Sequence, residues 1–157
     1  MPKTTPCLWF DTQAEDAAQF YTSIFPSSAI VDVTRYGPGA PRPEGMVMTV
    51  TFVLDGQEYV ALNGGPEFTF SEAISFQVSC ASQADVDEYW SRLTDGGEEG
   101  PCGWLKDRYG LSWQIVPTAL RDLLADPDPG RSQRAMQAML QMKKIDIAEL
   151  QRAADQA

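Results

Sequence analysis

The stretch TQAEDAAQFYTSIF at residues 12–25 returns in altered form, about seventy residues later, as SQADVDEYWSRL at residues 82–93. Each stretch opens with a hydroxyl residue that an acid follows three positions later, which is the capping-box signature of a helix start. Each then places apolar residues at the i, i+3, i+4 and i+7 positions of one helix face. The two stretches therefore predict two similar helices, capped at Thr12 and Ser82.

A strand-like run precedes each predicted helix, at residues 7–10 and 74–78. In the first half, runs rich in β-branched residues predict three more strands at 29–36, 46–54 and 57–63. The dipeptide Asp55-Gly56 between the last two is a strong signal for a two-residue hairpin. The first half therefore has the order β-α-β-β-β.

The second half repeats that order. Runs at 101–107 and 111–117 predict strands hinged at residues 107–110, and a short strand is indicated near 97–100. Two like halves indicate an internal duplication. The groove between such units is a natural place for a ligand.

Residues 119–157 differ from the two halves because their pattern is helical throughout. Short helices are predicted at 119–125 and 132–142, and Asp146 is a predicted N-cap of a last helix. Their Met-rich face is typical of a packing surface against the sheets or a second subunit. The predicted organisation is a paired domain at 1–118, with halves at about 4–66 and 67–118, followed by a helical extension at 119–157.

The composition excludes several classes of partner. Twelve basic and twenty-two acidic residues give a net charge of −10, which repels nucleic-acid phosphates and anionic membranes. No run resembles a signal peptide or a transmembrane segment. Three cysteines without a CxxC pair favour a reducing, cytoplasmic setting with the thiols as small buried hydrophobes. Neither nucleic acid nor membrane is an expected partner.

Several segments resemble the vicinal oxygen chelate superfamily and, more narrowly, its PhnB-like branch, the 3-demethylubiquinone-9 3-methyltransferase domain. The resemblance implies an α+β fold in which two tandem βαβββ units form curled mixed sheets around a cavity, as in glyoxalase and bleomycin resistance proteins, with C-terminal helices added here. The segments that carry it are residues 7–11, 17–21, 61–66, 74–76, 102–107 and 110–117.

Metal-dependent members of this superfamily use His and Glu at four positions, which the resemblance maps here to Cys7, Asn63, Ala73 or Ser75, and Gln114. Histidine is absent from the whole chain, and no carboxylate stands at these positions. Divalent metals need several charged or strongly donating ligands. The resemblance therefore implies the cavity, but neither a metal nor another cofactor is expected.

Strand alternation predicts which residues face that cavity. Leu8 and Phe10 point to the core in the first strand, Val60 and Leu62 in the fourth, Ile74, Phe76 and Val78 in the fifth, and Trp113 and Ile115 in the last. The predicted lining is polar but neutral with aromatic walls, which suits a small organic ligand. It consists of Cys7, Trp9, Asn63, Ser75, Gln77, Trp104 and Gln114.

Each of these residues has a structural alternative. Trp9, Trp104 and Trp113 can be core residues, and Asn63 and Gln114 can satisfy buried backbone groups. Asp11 can cap a turn before the helix. Lys106 and Asp107 are expected on a solvated hairpin rim. Cys7 is not expected to be a nucleophile, because no histidine is present to act as its base.

Three functions remain open. The first is binding of a small molecule without a metal. The second is an enzyme, either a metal-dependent lyase, isomerase or dioxygenase of the superfamily or the methyltransferase of the family label, although no Gly-rich loop follows the first strand. The third is an interaction role, with the tail and exposed strand edges forming a homodimer, and it is compatible with either of the others.

Overall fold

The first sheet of the protein is built from residues 7–63 of the computed structural model, which describes residues 2–156. Its elements are β1 (Cys7–Phe10), α1 (Ala14–Ile24), β2 (Ala29–Arg35), β3 (Val47–Leu54) and β4 (Gln57–Asn63). The strand order is β1-β4-β3-β2. The pair β1 and β4 is parallel, and the other neighbours are antiparallel.

The second sheet repeats this topology. Its elements are β5 (Ser75–Cys80), α2 (Gln83–Thr94), β6 (Glu98–Glu99), β7 (Trp104–Lys106) and β8 (Ser112–Pro117). The strand order is β5-β8-β7-β6, with β5 and β8 parallel. The predicted α+β fold of two βαβββ units is therefore confirmed, and the second strand of the second unit is only the two-residue β6.

The chain divides into two compact units, one ending at Phe70 and the other beginning at Ser71. Three further helices belong to the second unit: α3 (Thr118–Leu124), α4 (Pro129–Met139) and α5 (Ile147–Asp155). They enclose a core of their own that includes Leu120, Ile145 and Leu150. No helix among residues 2–156 has the length and apolar character needed to cross a membrane.

Helix α1 packs closely on the first sheet because its buried face is built mostly from alanines. Ala14, Ala17 and Ala18 are fully buried, as is Tyr21. The Tyr21 ring stacks on Phe52 of β3 with ring centroids 6.1 Å apart. Small side chains let the helix axis approach the sheet, and the one large ring fills the remaining space.

The two helix starts differ. Ser82 caps α2 as predicted, since its hydroxyl accepts a hydrogen bond from the Asp85 amide at 3.2 Å. Thr12 does not cap α1, whose N-cap is Gln13 without a side-chain cap bond. The Ala14 amide donates instead to the Asn63 side chain at 2.8 Å. The first helix is therefore capped from β4, a tertiary contact that the local pattern does not encode.

Other turn and cap predictions hold with small shifts. Asp55 and Gly56 have φ of +47° and +87°, as a type I′ hairpin requires. Asp146 caps α5 by accepting from the Glu149 amide at 3.1 Å. The helix predicted at 132–142 begins earlier, at Pro129, because Asp128 caps it by accepting from the Gly130 amide at 2.9 Å.

Candidate functional site

A pocket of about 410 Å³ lies within the second unit. Its wall is formed by β6, β7, the first residue of β8, residues 100–102 and Glu72. The volume falls in the range of small-molecule pockets in proteins. Trp104, which the sequence predicts as a binding residue, is half-buried in this wall.

The most unusual group in the pocket is the hydroxyl of Ser112. Ser112 is 1% exposed, and within the described chain its Oγ has no hydrogen-bond partner. Strand alternation explains its direction, because the next residue, Trp113, is buried on the opposite face against α2. An unpartnered buried hydroxyl costs about 1–3 kcal/mol, and such groups are rare in folded proteins.

An ion pair stands beside this hydroxyl. Lys106, the antiparallel partner of Ser112, donates to the Glu72 carboxylate with Nζ and Oε1 2.6 Å apart. The bond to Lys106 lowers the pKa of Glu72, and the same bond raises the pKa of Lys106. Both side chains are largely solvent-exposed, so the pair fixes the position of charge and adds little stability.

The turn before β7 brings Cys102 to the pocket wall. Cys102 and Gly103 have φ of +58° and +83°, so the chain makes a sharp bend there. Their amides donate to the carbonyls of Met142 and Lys143, both at 2.8 Å. The helical tail therefore anchors this part of the wall, and Cys102, which the sequence predicts as a buried hydrophobe, is only half-buried.

Three other predicted residues lie on the same face of the second sheet as Trp104. Gln114 lies between Trp104 and Gln77 in register, and its Nε2 donates to Ser75 Oγ at 2.8 Å. Gln77 donates to Gln114 Oε1 at 3.4 Å and accepts from Arg121 Nη2 at 3.3 Å. These polar groups therefore form one chain of hydrogen bonds. Arg121, which the sequence analysis missed, begins it.

In the first unit, Trp9 is held by the glycine pair that follows β4. Its indole N–H donates to the Gly65 carbonyl at 2.9 Å. A Cβ atom on Gly64 would lie 2.5 Å from the indole ring, so the ring occupies the space that a side chain would need. The edge of Phe68 completes the contact with ring centroids 5.0 Å apart. Cys7 lies exposed at the start of β1, and its partial burial raises the pKa of its thiol.

The predicted orientation of β4 is wrong by one residue. The parallel register pairs Leu8 with Ala61 and Phe10 with Asn63, so Ala61 and Asn63 share the buried helix side of the sheet. Asn63 is 2% exposed; its Oδ1 accepts from the Ala14 amide, and its Nδ2 donates to the Val47 carbonyl at 3.0 Å. Asn63 therefore satisfies buried backbone groups, the alternative role, and does not line a binding face. The error arises because β4 has apolar residues on both faces, so the alternation of side chains does not show which face is buried.

One further expectation needs correction. Asp107 does not lie on a solvated rim: it is 3% exposed. Its carboxylate accepts from the amides of Tyr109 and Leu111 at 2.8 and 3.1 Å and from the Trp113 indole N–H at 2.9 Å. It thus organises the hairpin between β7 and β8. Asp11 forms an ion pair with Arg42 at 3.6 Å.

The model of the family described as 3-demethylubiquinone-9 3-methyltransferase matches residues 2–116. The chain belongs to this family. Among solved structures, the PhnB protein from Bacillus cereus is 36% identical, with 74% of this chain and 99% of that chain covered and a TM-score of 0.66. No protein with a curated description matches the chain.

More distant structures share the fold alone. Protein PA1353 from Pseudomonas aeruginosa is 17% identical with a TM-score of 0.62, and the fosfomycin resistance protein FosX from Listeria monocytogenes is 14% identical with a TM-score of 0.51. Each covers 74% of this chain, and 98% and 93% of the respective structures are covered. The likeness to these structures therefore concerns the fold, and the specific activity of this family member is not established.

The residues at the superfamily's metal positions do not fit a resident divalent ion. In the first unit, both polar atoms of the Asn63 side chain are bonded to backbone groups, and Cys7 has a raised pKa. In the second unit, Gln114 Oε1 already accepts from Gln77. Among the described residues, no group of three or more Cys, Asp or Glu is arranged to hold a metal. Neutral amides and one protonated thiol are a poor donor set for such ions.

The family match stops before the helical tail, although the tail contributes to the pocket. Residues 2–116 end within β8, and α3 to α5 lie beyond that point. The carbonyls that hold Cys102 and Gly103 come from Met142 and Lys143. The pocket wall of this family member therefore depends on a segment outside the shared family region.

Proposed function

We propose that this family member binds a small organic molecule in the pocket of its second unit. The observation that carries the proposal is the buried hydroxyl of Ser112, which lines the pocket and has no partner in the described chain. A hydroxyl that is left without a hydrogen bond on folding gains one when a ligand reaches it. A hydrogen bond from the ligand would then offset the free-energy cost of burying the Ser112 hydroxyl without a partner.

The rest of the wall supports such a ligand. Trp104 offers a large aromatic surface, and Pro101 adds apolar area to the wall. Apolar walls with a few convergent polar groups are typical of small-molecule sites. The polar chain of Ser75, Gln77 and Gln114 continues the same sheet face and is proposed as an extension of the site.

A fragment screen by nuclear magnetic resonance tests this proposal. Amide resonances of ¹⁵N-labelled protein should shift at Gly100, Cys102 and Ser112 for the fragments that bind. Ser112→Ala should weaken these fragments by about fivefold to tenfold, the value of one hydrogen bond. The matched control is Ser79→Ala, at an exposed serine of β5 outside the pocket wall. Equal affinities in the two variants, or a screen without shifts in the wall, would overturn the proposal.

The stability of Ser112→Ala gives a second measurement. Because the hydroxyl has no partner, removing it should leave the free energy of unfolding unchanged or raise it by about 1 kcal/mol. Urea denaturation measures this value. A loss of stability greater than about 1 kcal/mol would mean that Ser112 serves the fold and is not held ready for a ligand.

We propose further that the protein holds no resident divalent metal at the positions that metal-dependent members of the superfamily use. The proposal rests on the donor chemistry of Cys7, Asn63, Ser75 and Gln114, which offers no imidazole and no carboxylate. Elemental analysis of the purified protein is the direct measurement. A transition metal bound at one equivalent per chain would contradict this part and would reopen the metal-dependent chemistry of the superfamily.

We also propose that two copies pair through the edge strand β2. This strand borders the first sheet, and its Val31 and Val33 are 56% and 37% exposed. Antiparallel pairing of two copies can place Asp32 opposite the partner subunit's Arg35, twice by symmetry, so the edge is complementary to itself in charge. Exposed edge strands otherwise invite uncontrolled pairing.

Light scattering at micromolar concentration tests the dimer. The wild type should have the mass of two chains, and Val33→Lys should give a single chain because a buried charge opposes edge pairing. Gln57→Lys, at an exposed residue of β4, adds the same charge elsewhere and should leave the mass unchanged. A wild-type monomer would remove this part of the proposal.

We infer a reducing, cytoplasmic location from the cysteines. All three are free in the structure, with Cys80 buried, Cys102 half-buried and Cys7 exposed. Free exposed thiols are poorly suited to an oxidising compartment. Fractionation of cells that make the full-length protein should recover it in the cytosolic fraction, and recovery from a secreted fraction would contradict the inference.

A further inference from the structure

We infer that the pocket of the second unit selects organic cations, in particular an ammonium group joined to an aromatic ring, over anions of the same shape. This inference rests on the small-molecule binding proposed above and adds the charge class of the ligand. Three observations carry it: the excess of carboxylates in the wall, the aromatic face of Trp104, and the buried hydroxyl of Ser112.

The charges in the wall are unequal. Glu72, Glu98 and Glu99 line the pocket, and Lys106 is the one basic residue of the wall in the described chain. Lys106 is paired with Glu72, its Nζ lying 2.6 Å from Glu72 Oε1, so one of the three carboxylates is matched by a positive charge. Three carboxylates and one ammonium group leave the wall with an excess of negative charge.

The strand pairing shows where Glu98 and Glu99 lie in the sheet. Glu98 lies opposite Lys106 in the pairing of β6 with β7, and Lys106 in turn lies opposite Ser112, so the three residues share one face of the sheet. Glu99 accepts from the Trp90 indole N–H of α2 at 2.7 Å, so its carboxylate is held on the helix side of the sheet. The net charge of −10 on the chain adds a negative background that draws cations toward the pocket.

Two uncharged groups of the wall can also bind an organic cation. Trp104 is half-buried in the wall, and an indole face attracts an ammonium group more strongly than other side-chain rings do. Ser112 is 1% exposed and has no partner in the described chain, so its oxygen can accept a hydrogen bond from an ammonium group. An acidic rim without these groups would be an ordinary solvated surface.

The test compares three probes that share a phenyl ring and differ in charge. They are 2-phenylethylamine, which is a cation at neutral pH, 2-phenylethanol, which is neutral, and 3-phenylpropionate, which is an anion. Titration of ¹⁵N-labelled protein at low ionic strength should give the order cation, neutral, anion. The cation should bind at least about tenfold more tightly than the anion, and added salt should reduce this ratio.

Variants locate the source of the preference. Glu98→Gln should lower the ratio of cation to anion affinity about threefold, whereas Glu58→Gln, at an exposed residue of β4, should leave it unchanged. Trp104→Leu should weaken the binding of the cation more than the binding of the neutral probe, because leucine keeps apolar area but has no indole face.

The possible outcomes distinguish the charge preference from the proposal that the pocket binds a small molecule. Equal affinities for the three probes, or tighter binding of the neutral probe or the anion in the same wall, would overturn the charge preference and leave small-molecule binding intact. No binding of the cation at millimolar concentration would also overturn the preference. If the fragment screen then gives no shift in the wall, the binding proposal fails as well.

Discussion

The two units share one order of strands and helix but use their polar residues in different ways. In the first unit, Asn63 bonds to two backbone groups and the Trp9 indole bonds to the Gly65 carbonyl. In the second unit, Ser112 is buried in a pocket without a partner in the described chain, and Trp104 lines the same pocket. Asn63 and Trp9 therefore bond within the first unit, whereas the Ser112 hydroxyl of the second unit has no partner in the described chain and is the group that we propose meets a ligand.

The helix starts show the same difference. Helix α2 is capped from within by Ser82, and helix α1 is capped by Asn63 across 49 residues of sequence. A capping residue on another element joins helix formation to sheet formation. The first unit should therefore lose more stability than the second when its cap is removed.

The largest expected effect comes from Asn63→Ala. The change leaves the Ala14 amide and the Val47 carbonyl without their partner, and Ala14 is fully buried. Each unsatisfied buried group costs about 1–3 kcal/mol. The free energy of unfolding should fall by about 2–4 kcal/mol, measured by urea denaturation.

The matched control is Gln13→Ala. Gln13 is the N-cap residue of α1, but its side chain makes no capping bond, so its truncation should cost less than about 0.5 kcal/mol. If Asn63→Ala is no more costly than this control, water has taken over the bonds of Asn63, and the contrast between the units is not energetic.

The sequence predicts the fold well because both units repeat a hydrophobic period that burial then enforces. Leu8, Phe10, Trp113 and Ile115 lie in the core as alternation predicts. Alternation fails in β4, where residues of both faces are apolar and the parallel register with β1 decides the side. The prediction of the α1 cap fails for a related reason. Thr12 matches the local pattern, but the side chain that accepts from the Ala14 amide belongs to Asn63, 49 residues further along the chain.

A smaller effect is expected from Gly64→Ala. The new Cβ would lie 2.5 Å from the Trp9 indole, so the ring must move and its bond to the Gly65 carbonyl is lost. Overpacking of this kind costs about 1–3 kcal/mol. Urea denaturation gives the cost, and near-ultraviolet circular dichroism should report the displaced indole.

Gly37→Ala is the control for this change. A Cβ on Gly37 meets nothing within 4 Å, and its backbone is not in the left-handed region. Stability should therefore be unchanged or up to about 1 kcal/mol higher, since alanine restricts the unfolded chain. The packing explanation is wrong if both alanines have the same effect.

The site was predicted in part. Trp104, Ser75, Gln77 and Gln114 lie on one sheet face because the strand period of β5 and β8 is unambiguous. Ser112 belongs to the same alternation but carries no signal of its own, because only the structure shows that its hydroxyl lacks a partner. Glu72 and Arg121 come from segments outside the sheet, and no local pattern connects either with its partner.

Cysteine burial provides a pH-dependent contrast between the units. Burial raises the pKa of Cys80 to about 11, with a smaller contribution from Asp85. Because the folded-state pKa lies above the unfolded value, the stability from the neutral thiol is complete below about pH 9 and is lost as the pH rises toward 11. The loss should amount to about 1–2 kcal/mol, measured by urea denaturation across that range.

Cys80→Ala should flatten this pH dependence, because no buried thiol remains to ionise on unfolding. Cys7→Ala, at an exposed thiol of the first unit, should keep most of it. An unchanged slope between pH 9 and 11 in Cys80→Ala would assign the loss to tyrosines and lysines that ionise in the same range.

The smallest effect is expected from Ser82→Ala, which removes the local cap of α2. The Asp85 amide lies near the surface and can bond to water once the hydroxyl is gone, so the cost should be about 1 kcal/mol. Ser82→Asp keeps an acceptor at the same position and should recover most of that loss in urea denaturation. A cost for Ser82→Ala equal to that of Asn63→Ala would mean that a local cap couples to its unit as strongly as a tertiary one, and the distinction between the two helix starts would not hold.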